Sequence, residues 1–393
     1  LAEPRKLFTF EFVSLCFVSF FAFCNMAVFF SFYGYLARLG IPVEWRGLLL
    51  GLEPMSAFAL RLAIIPLLHL GNAVRVMMLA LVLLVAALCS YLWVLTISGL
   101  ILLRVFHGAA FVLLVSASMS LLVHLIPRDR SAQGFGIMSV TVLVPYAVMP
   151  LVTDLLLPML PSEAYLYAGV TVMALPALIL LEVLRRRVAK QAAGIDGTLM
   201  MRPSLAELRQ NLRQRPVVLL LGVNLLVYLA YATVFFFMKS FAMHVHLGQG
   251  GTFFIIATLV MIAVRVLSGP LFDRVDKVRM LQVFTFQLVL CFVSFGFIRS
   301  PTIYYLLAGY YGLCIGVTLP LLNAALFLAS PEHLRGLNTN LALFTMDAAF
   351  FVSPCVGGMF LAAGFSFGTL FDLCGGLLAL SLVLLIVLRQ RMG

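Results

Sequence analysis

The stretch RVLSGPLFDRVDKVR, Arg265 to Arg279, closes one long apolar run and opens the next, and it concentrates charge in a chain that has little. A second stretch, RLAIIPLLHLGNAVR, lies 204 positions earlier, from Arg61 to Arg75. Aligned without gaps, Arg61 meets Arg265, Pro66 meets Pro270, Leu67 meets Leu271, Val74 meets Val278 and Arg75 meets Arg279. At the same offset Gly47 meets Gly251, Gly108 meets Gly312, Pro127 meets Pro331 and Pro150 meets Pro354. A single offset that holds across successive apolar runs implies a duplicated unit, an arrangement that recurs in transporters with a site between the halves.

Of the 393 residues, 63% are hydrophobic and only 10% are charged, whereas a soluble domain carries about a quarter charged residues. The apolar runs are about 20 to 28 residues long, enough to cross a hydrocarbon core of about 30 Å as helices. The short alternating runs of a membrane β-barrel are absent. The fold class expected is an all-α polytopic membrane protein with twelve transmembrane helices in two pseudo-symmetric six-helix bundles. The spans expected are 8–36, 45–69, 74–97, 99–126, 131–157, 163–184, 217–243, 250–271, 278–298, 302–329, 336–363 and 367–388. The first run is too long for a signal-peptide core and reads as a span.

The formal charge of +11 follows the loops. With the N-terminus inside, nineteen of the 26 Lys and Arg fall at cytoplasmic ends or loops, and only Arg38, Arg46 and Arg299 fall outside. That bias is the positive-inside pattern, so it sets orientation and argues against a nucleic-acid partner. Both termini are expected on the cytoplasmic side of a bacterial inner membrane. The seven cysteines lie inside apolar runs without CxxC spacing, which supports neither a disulfide framework nor a metal site.

Three segments follow: an N-terminal bundle over 1–184, a cytoplasmic linker over 185–215 and a C-terminal bundle over 216–393. In the linker, Ser204 and Glu207 have capping-box spacing, and Leu205, Leu208 and Leu212 form one apolar stripe. A short amphipathic helix on the inner membrane surface is expected, with a disordered linker as the alternative.

GPLFDRVDKVR resembles the loop between the second and third helices of a half in the major facilitator superfamily, where Gly-x-x-x-Asp-Arg precedes further basic residues. LLRVFHGAAF, Leu102 to Phe111, is similar to that family's fourth-helix motif, an Arg followed four residues later by Gly. The resemblance implies alternating access by two bundles rocking about one site. It also implies a gating loop in which Gly269 lets the eighth helix end tightly and Asp273 meets the N-terminus of the fifth helix, near Ser131. Arg274, Lys277 and Arg279 would then hold the loop inside. The first half departs from the pattern, with Ile65, His69 and Leu70 at the Gly, Asp and Arg positions.

Ionisable groups inside a membrane are costly and become functional candidates. Asp347 lies about 17 Å and Glu53 about 12 Å from the nearer end of its span, at 1.5 Å per residue. Arg104 and His107 lie nearly one turn apart on the fourth helix. The superfamily places the second and eleventh helices face to face, so Glu53 and Asp347 would share a proton. Asp347, Glu53, Arg104 and His107 are therefore the coupling or substrate candidates. Arg61 and Arg265 are read as snorkelling or loop-anchoring residues, and Lys239, Asp154 and Asp372 as groups near outer ends. HVH, His244 to His246, reads as a loop because it lacks a third ligand. Candidate cavity-lining residues are Asn25, Ser31, Tyr33, Tyr228, Tyr231, Thr318 and Asn323, on helices that wall the cavity in the superfamily.

A lining of that kind suits an amphipathic organic solute better than a sugar. The leading functional reading is a proton-coupled exporter of an amphipathic metabolite or drug-like compound, similar to the superfamily's antiporters. The fifth helix, with VPYAVMPLV, lacks their GP…GG pattern. The alternative is a symporter or uniporter that imports a small organic anion, anchored by Arg104. An enzyme would need a nucleophile–base pair or metal cluster, and ATP-driven transport would need a P-loop. Neither is in the sequence. The partners expected are a small-molecule substrate, protons and the lipid bilayer, with no cofactor and a monomeric chain.

Overall fold

The computed structural model describes residues 6–192, 204–247, 250–298 and 300–390. Those residues include twelve helices or helix pairs long and apolar enough to cross a membrane, from Phe10–Arg38 to Phe367–Gln390. Large side chains such as Leu102, Leu155, Leu267 and Met359 stay more than 70% exposed. In a chain of spanning helices, such a surface is what lipid covers.

The chain forms two compact units. Unit 1 comprises Leu1–Pro127, Thr141–Pro203 and Glu332–Asn340, and unit 2 comprises Arg128–Val140, Ser204–Pro331 and Leu341–Gly393.

In unit 1, α1 (Phe10–Ala27) and α2 (Phe32–Arg38) form the first span, α3 (Val43–Ile64) the second, α4 (Leu70–Ser90) the third and α5 (Ile97–Leu125) the fourth. Next come α6 (Ser131–Leu156), which belongs to unit 2 as far as Val140 and to unit 1 from Thr141, α7 (Glu163–Val170) and α8 (Ala174–Ala192). Thr9 caps α1 by accepting from the Phe12 N–H, and Thr96 caps α5 by accepting from the Gly99 N–H.

A short helix, α9 (Leu205–Asn211), precedes unit 2's spans: α10 (Arg215–His244), α11 (Gly250–Arg274), α12 (Lys277–Phe295), α13 (Pro301–Ala329), α14 (Arg335–Ala362), which belongs to unit 2 from Leu341 onward and to unit 1 before it, and α15 (Phe367–Gln390). Asp276 caps α12 by accepting from the Arg279 N–H at 2.8 Å. Gly364, with φ +89°, supplies the left-handed residue after α14.

The repeat extends to packing. In unit 1, α5 packs on α3 and α4, and α8 on α1 and α4. In unit 2, α13 packs on α11 and α12, and α15 on α10 and α12.

The structure corrects the sequence reading at three places. The first span is interrupted by a 3-10 turn at Val28–Ser31, so it is two helices rather than one. The third ends at Ser90, seven residues early, where the Ser90 hydroxyl turns back onto the Ala86 carbonyl. The sixth continues as α8 to Ala192, well into the stretch assigned to the linker. The capping box does form, with the Ser204 N–H donating to Glu207 and the Glu207 N–H to the Ser204 hydroxyl. Residues 193–203 of the linker, and the Leu205 and Leu208 side chains of the proposed stripe, lie outside the described residues.

Candidate functional site

The site in unit 1 starts from a glycine. A Cβ on Gly108 of α5 would collide with the Glu53 carbonyl and the Ser56 hydroxyl of α3, so only glycine lets the helices cross here. The crossing brings Arg104, one turn earlier on α5, against Glu53, with Nη2 3.6 Å from Oε2. Pro54 then has a local consequence. It has no N–H, so the Leu50 carbonyl four residues back loses its helical donor. Arg104 Nη2 donates to that carbonyl at 3.2 Å, while Nε donates to the Leu49 carbonyl at 2.9 Å. The Phe32 ring lies 4.6 Å and the Phe29 ring 5.5 Å from the guanidinium carbon.

His107 is wholly buried beside this group. Its Nδ1 is 3.4 Å from the Tyr91 hydroxyl, and Tyr35 donates to the Tyr91 carbonyl at 3.1 Å. His107 Nε2 has no partner among the described residues. The whole group is a buried ion pair walled by Phe29, Phe32, Tyr91 and Tyr167, whose rings contact one another.

Unit 2 repeats the crossing without the charge pair. A Cβ on Gly312 of α13 would lie 2.5 Å from the Ala257 carbonyl oxygen of α11. Ala257 is 204 residues after Glu53, and Ala308 is 204 after Arg104. The proline device recurs too: Pro320 frees the Gly316 carbonyl, and Arg265 Nε donates to it at 3.4 Å. Asp347 sits half-buried on α14, with Tyr228 of α10 in electrostatic range. Asn224 ties α10 to α14 by donating to the Ala342 carbonyl at 2.8 Å and to Thr345 at 2.7 Å.

The coupling candidates thus fall into two sets. Glu53, Arg104 and His107 come together in unit 1, and Asp347 lies in unit 2. Arg104 is the partner of Glu53 that the depth argument did not anticipate.

Among the cavity candidates, Asn25 is fully buried with no partner for either end of its amide among the described residues. Ser31 Oγ lies near the Tyr167 hydroxyl without hydrogen-bond geometry. Tyr33 is 48% exposed, with Arg46 over its ring. Tyr228 and Tyr231 meet edge-to-face with centroids 6.0 Å apart. The Thr318 hydroxyl donates to the Cys314 carbonyl of its own helix. Asn323 is half-buried on α13.

The loop read as a gate joins α11 to α12. Asp273 Oδ1 accepts from the Ala132 N–H at 2.8 Å and Oδ2 from the Gln133 N–H at 3.2 Å, which caps α6. Gly269 permits the approach, since a Cβ there would lie 3.0 Å from Gln133 Cγ. Arg274 and Arg279 are exposed, and Lys277 reaches the Asp273 carbonyl. His69, at the aspartate position of the first copy, donates its own N–H to Asn72, and burial lowers the pKa of its imidazole.

Two readings need correction or addition. Arg61 and Arg265 do not snorkel: they are 2% and 4% exposed, and Arg61 Nη1 donates to the Ser116 hydroxyl at 2.9 Å. Asn340 escaped notice altogether. Its Nδ2 donates to the Ser116 carbonyl, the Ser120 hydroxyl and the Gly336 carbonyl, all within unit 1. The polar run Asn338-Thr339-Asn340 inside an apolar span was its signal.

Comparison with known proteins adds a family. The Major Facilitator Superfamily model matches residues 15–354. No sequence among the curated proteins matches the chain. Among solved structures, the chain is similar to a bacterial homologue of the iron transporter ferroportin in its outward-facing state, with TM-score 0.75, 14% identity and coverage of 96% of this chain and 99% of that one. It is also similar to the proton:xylose symporter XylE, with TM-score 0.72, 16% identity and coverage of 96% and 94%. The human organic anion transporter MFSD10 (TETRAN) aligns with TM-score 0.67, 18% identity and coverage of 96% and 99%. At such identities the likeness is one of fold.

Proposed function

This chain belongs to the major facilitator superfamily of transporters, and from that premise we propose that it is a proton-coupled secondary transporter exporting a small amphipathic organic solute. The observation that carries the coupling is the ion pair between Glu53 and Arg104, buried in unit 1 at 3.6 Å. Protonating Glu53 removes the negative partner, while the guanidinium stays fixed on the Leu49 and Leu50 carbonyls. A pair of that kind switches its charge without losing its geometry. Asp347, which is not the repeat partner of Glu53, is the acid candidate of unit 2, and His107 lies beside the pair among aromatic rings. The gating loop, through Asp273 on the N-terminus of α6, stabilises the state closed to the cytoplasm. The basic bias of the loops supports both termini being cytoplasmic in a bacterial inner membrane.

Import of a small organic anion anchored by Arg104 fits less well. The guanidinium already faces a carboxylate, two carbonyls and two rings, which leaves only its buried Nη1 without an acceptor among the described residues. The three similar proteins described above are a homologue of an iron transporter, a proton:xylose symporter and an organic anion transporter, so they do not agree on one cargo for this chain.

The test is proton movement. Proteoliposomes holding a pH-sensitive dye are preloaded with each of a panel of amphipathic solutes and then exposed to external acid. Solute-dependent acidification of the lumen supports the reading, and solute efflux with no accompanying proton entry overturns it.

A further inference from the structure

Arg265 is a buried charge that the coupling mechanism does not use. It lies on α11 with 4% of its surface exposed, and it forms no ion pair with any described residue. Among the described residues its single hydrogen bond runs from Nε to the Gly316 carbonyl, and 3.4 Å is long for such a bond. A guanidinium has five N–H donors and keeps its proton in proteins. Both Nη groups are therefore left without an acceptor among the described residues. Arg104 offers the contrast within the same chain, since an acid stands beside it.

Phenols face Arg265 from α10, and Asp347 stands in electrostatic range of one of them, Tyr228. Tyr228 and Tyr231, both on α10, lie within electrostatic range of the guanidinium. The Tyr231 ring is 6.0 Å from that of Phe350, which itself meets Phe235 at 5.6 Å and Phe236 at 6.0 Å. Two phenol donors and a forked cation bordered by a run of rings are complementary to a planar acid. Arg matches a carboxylate with two parallel N–H bonds, and the rings match an aromatic body. A purely structural role in capping the Gly316 carbonyl would use Nε alone and would not require the phenols.

We propose that Arg265, with the hydroxyls of Tyr228 and Tyr231, recognises a carboxylate on the transported solute, which makes that solute an aromatic acid. The inference rests on the transporter reading above and assigns its substrate class.

Equilibrium binding to the purified full-length protein in detergent tests it without any gradient, using radiolabelled benzoate and benzamide as probes. Benzamide keeps the ring and shape but loses the charge, so wild type should bind benzoate at least about tenfold more tightly, the size of a charge-assisted hydrogen bond. Arg265→Lys keeps the charge and loses the fork, and should bind benzoate several-fold more weakly. Tyr231→Phe removes only a hydroxyl and should also weaken benzoate while leaving benzamide unchanged. Equal affinity for the two probes, no benzoate binding by wild type, or wild-type benzoate affinity in Arg265→Lys would each overturn the assignment. Benzoate that binds as described but moves without protons in the liposome assay would sink the coupling alone.

Discussion

Gly108 packs its bare Cα against the carbonyl of Glu53, and 204 residues on, Gly312 packs against the carbonyl of Ala257, the repeat partner of Glu53. The chain therefore keeps one helix crossing in both units and places an acid and a base at only one of them. Both glycines face main chain, which cannot swing away as the end of a side chain can. Gly108→Ala and Gly312→Ala should each lower stability by about 1 to 3 kcal/mol, the usual range for overpacking. Gly376→Ala has nothing within 4 Å of its new Cβ and should be neutral. Thermal unfolding of the three purified variants measures the contrast.

Arg104 tests the unit 1 pair from its basic side. Removing one partner of a buried ion pair typically costs about 3 to 5 kcal/mol. Arg104→Ala strands Glu53 and exposes the Leu50 carbonyl freed by Pro54, so transport should be abolished and the midpoint of unfolding should fall. Arg104→Lys keeps the charge but cannot bridge two carbonyls and a carboxylate together, so it should retain fold and lose most transport. Full transport by the Lys variant would deny the fork any role.

Asp273 tests the loop. Its two oxygens take two orphan N–H groups of α6, and an N-cap of that kind is worth about 0.5 to 2 kcal/mol. Asp273→Asn should expose cytoplasmic cysteine probes to labelling more quickly. His69→Asn, at the copy whose side chain lacks this role, should change labelling much less. Equal labelling in the two variants would remove the asymmetry.

Asn340 donates to three acceptors of unit 1 from the first turns of α14. Asn340→Ala removes bonds to two helix carbonyls and one buried hydroxyl, and a hydrogen bond of this kind contributes about 0.5 to 1.5 kcal/mol net. A clear drop in thermal stability is expected, and an unchanged midpoint would show that the network is dispensable.

Much of this was legible in the sequence because it depends on spacing along the chain. The apolar runs located the spans, the 204-residue offset paired Gly108 with Gly312, and the Asp273 motif pointed to the α6 N-terminus. What depends on helix rotation was not legible. Arg61 and Arg265 looked like snorkelling residues by their distance from a helix end, yet their side chains turn inward to Ser116 and Gly316. Arg104 and Glu53 lie 51 positions apart and meet only because α5 and α3 cross at a glycine. The 3-10 turn at Val28–Ser31 carries no Gly or Pro to announce it. Pro54 and Pro320 did carry a message, namely which carbonyl each leaves for an arginine, but reading it required the neighbouring helix.

The central claim is that Glu53 carries the transported proton, and Glu53→Gln tests it most directly, because it removes the charge and keeps the shape. In proteoliposomes with a trapped pH dye, the variant should still exchange labelled solute across the membrane at equilibrium but should lose solute-dependent proton entry. Proton entry at the wild-type rate, with exchange intact, would contradict the account.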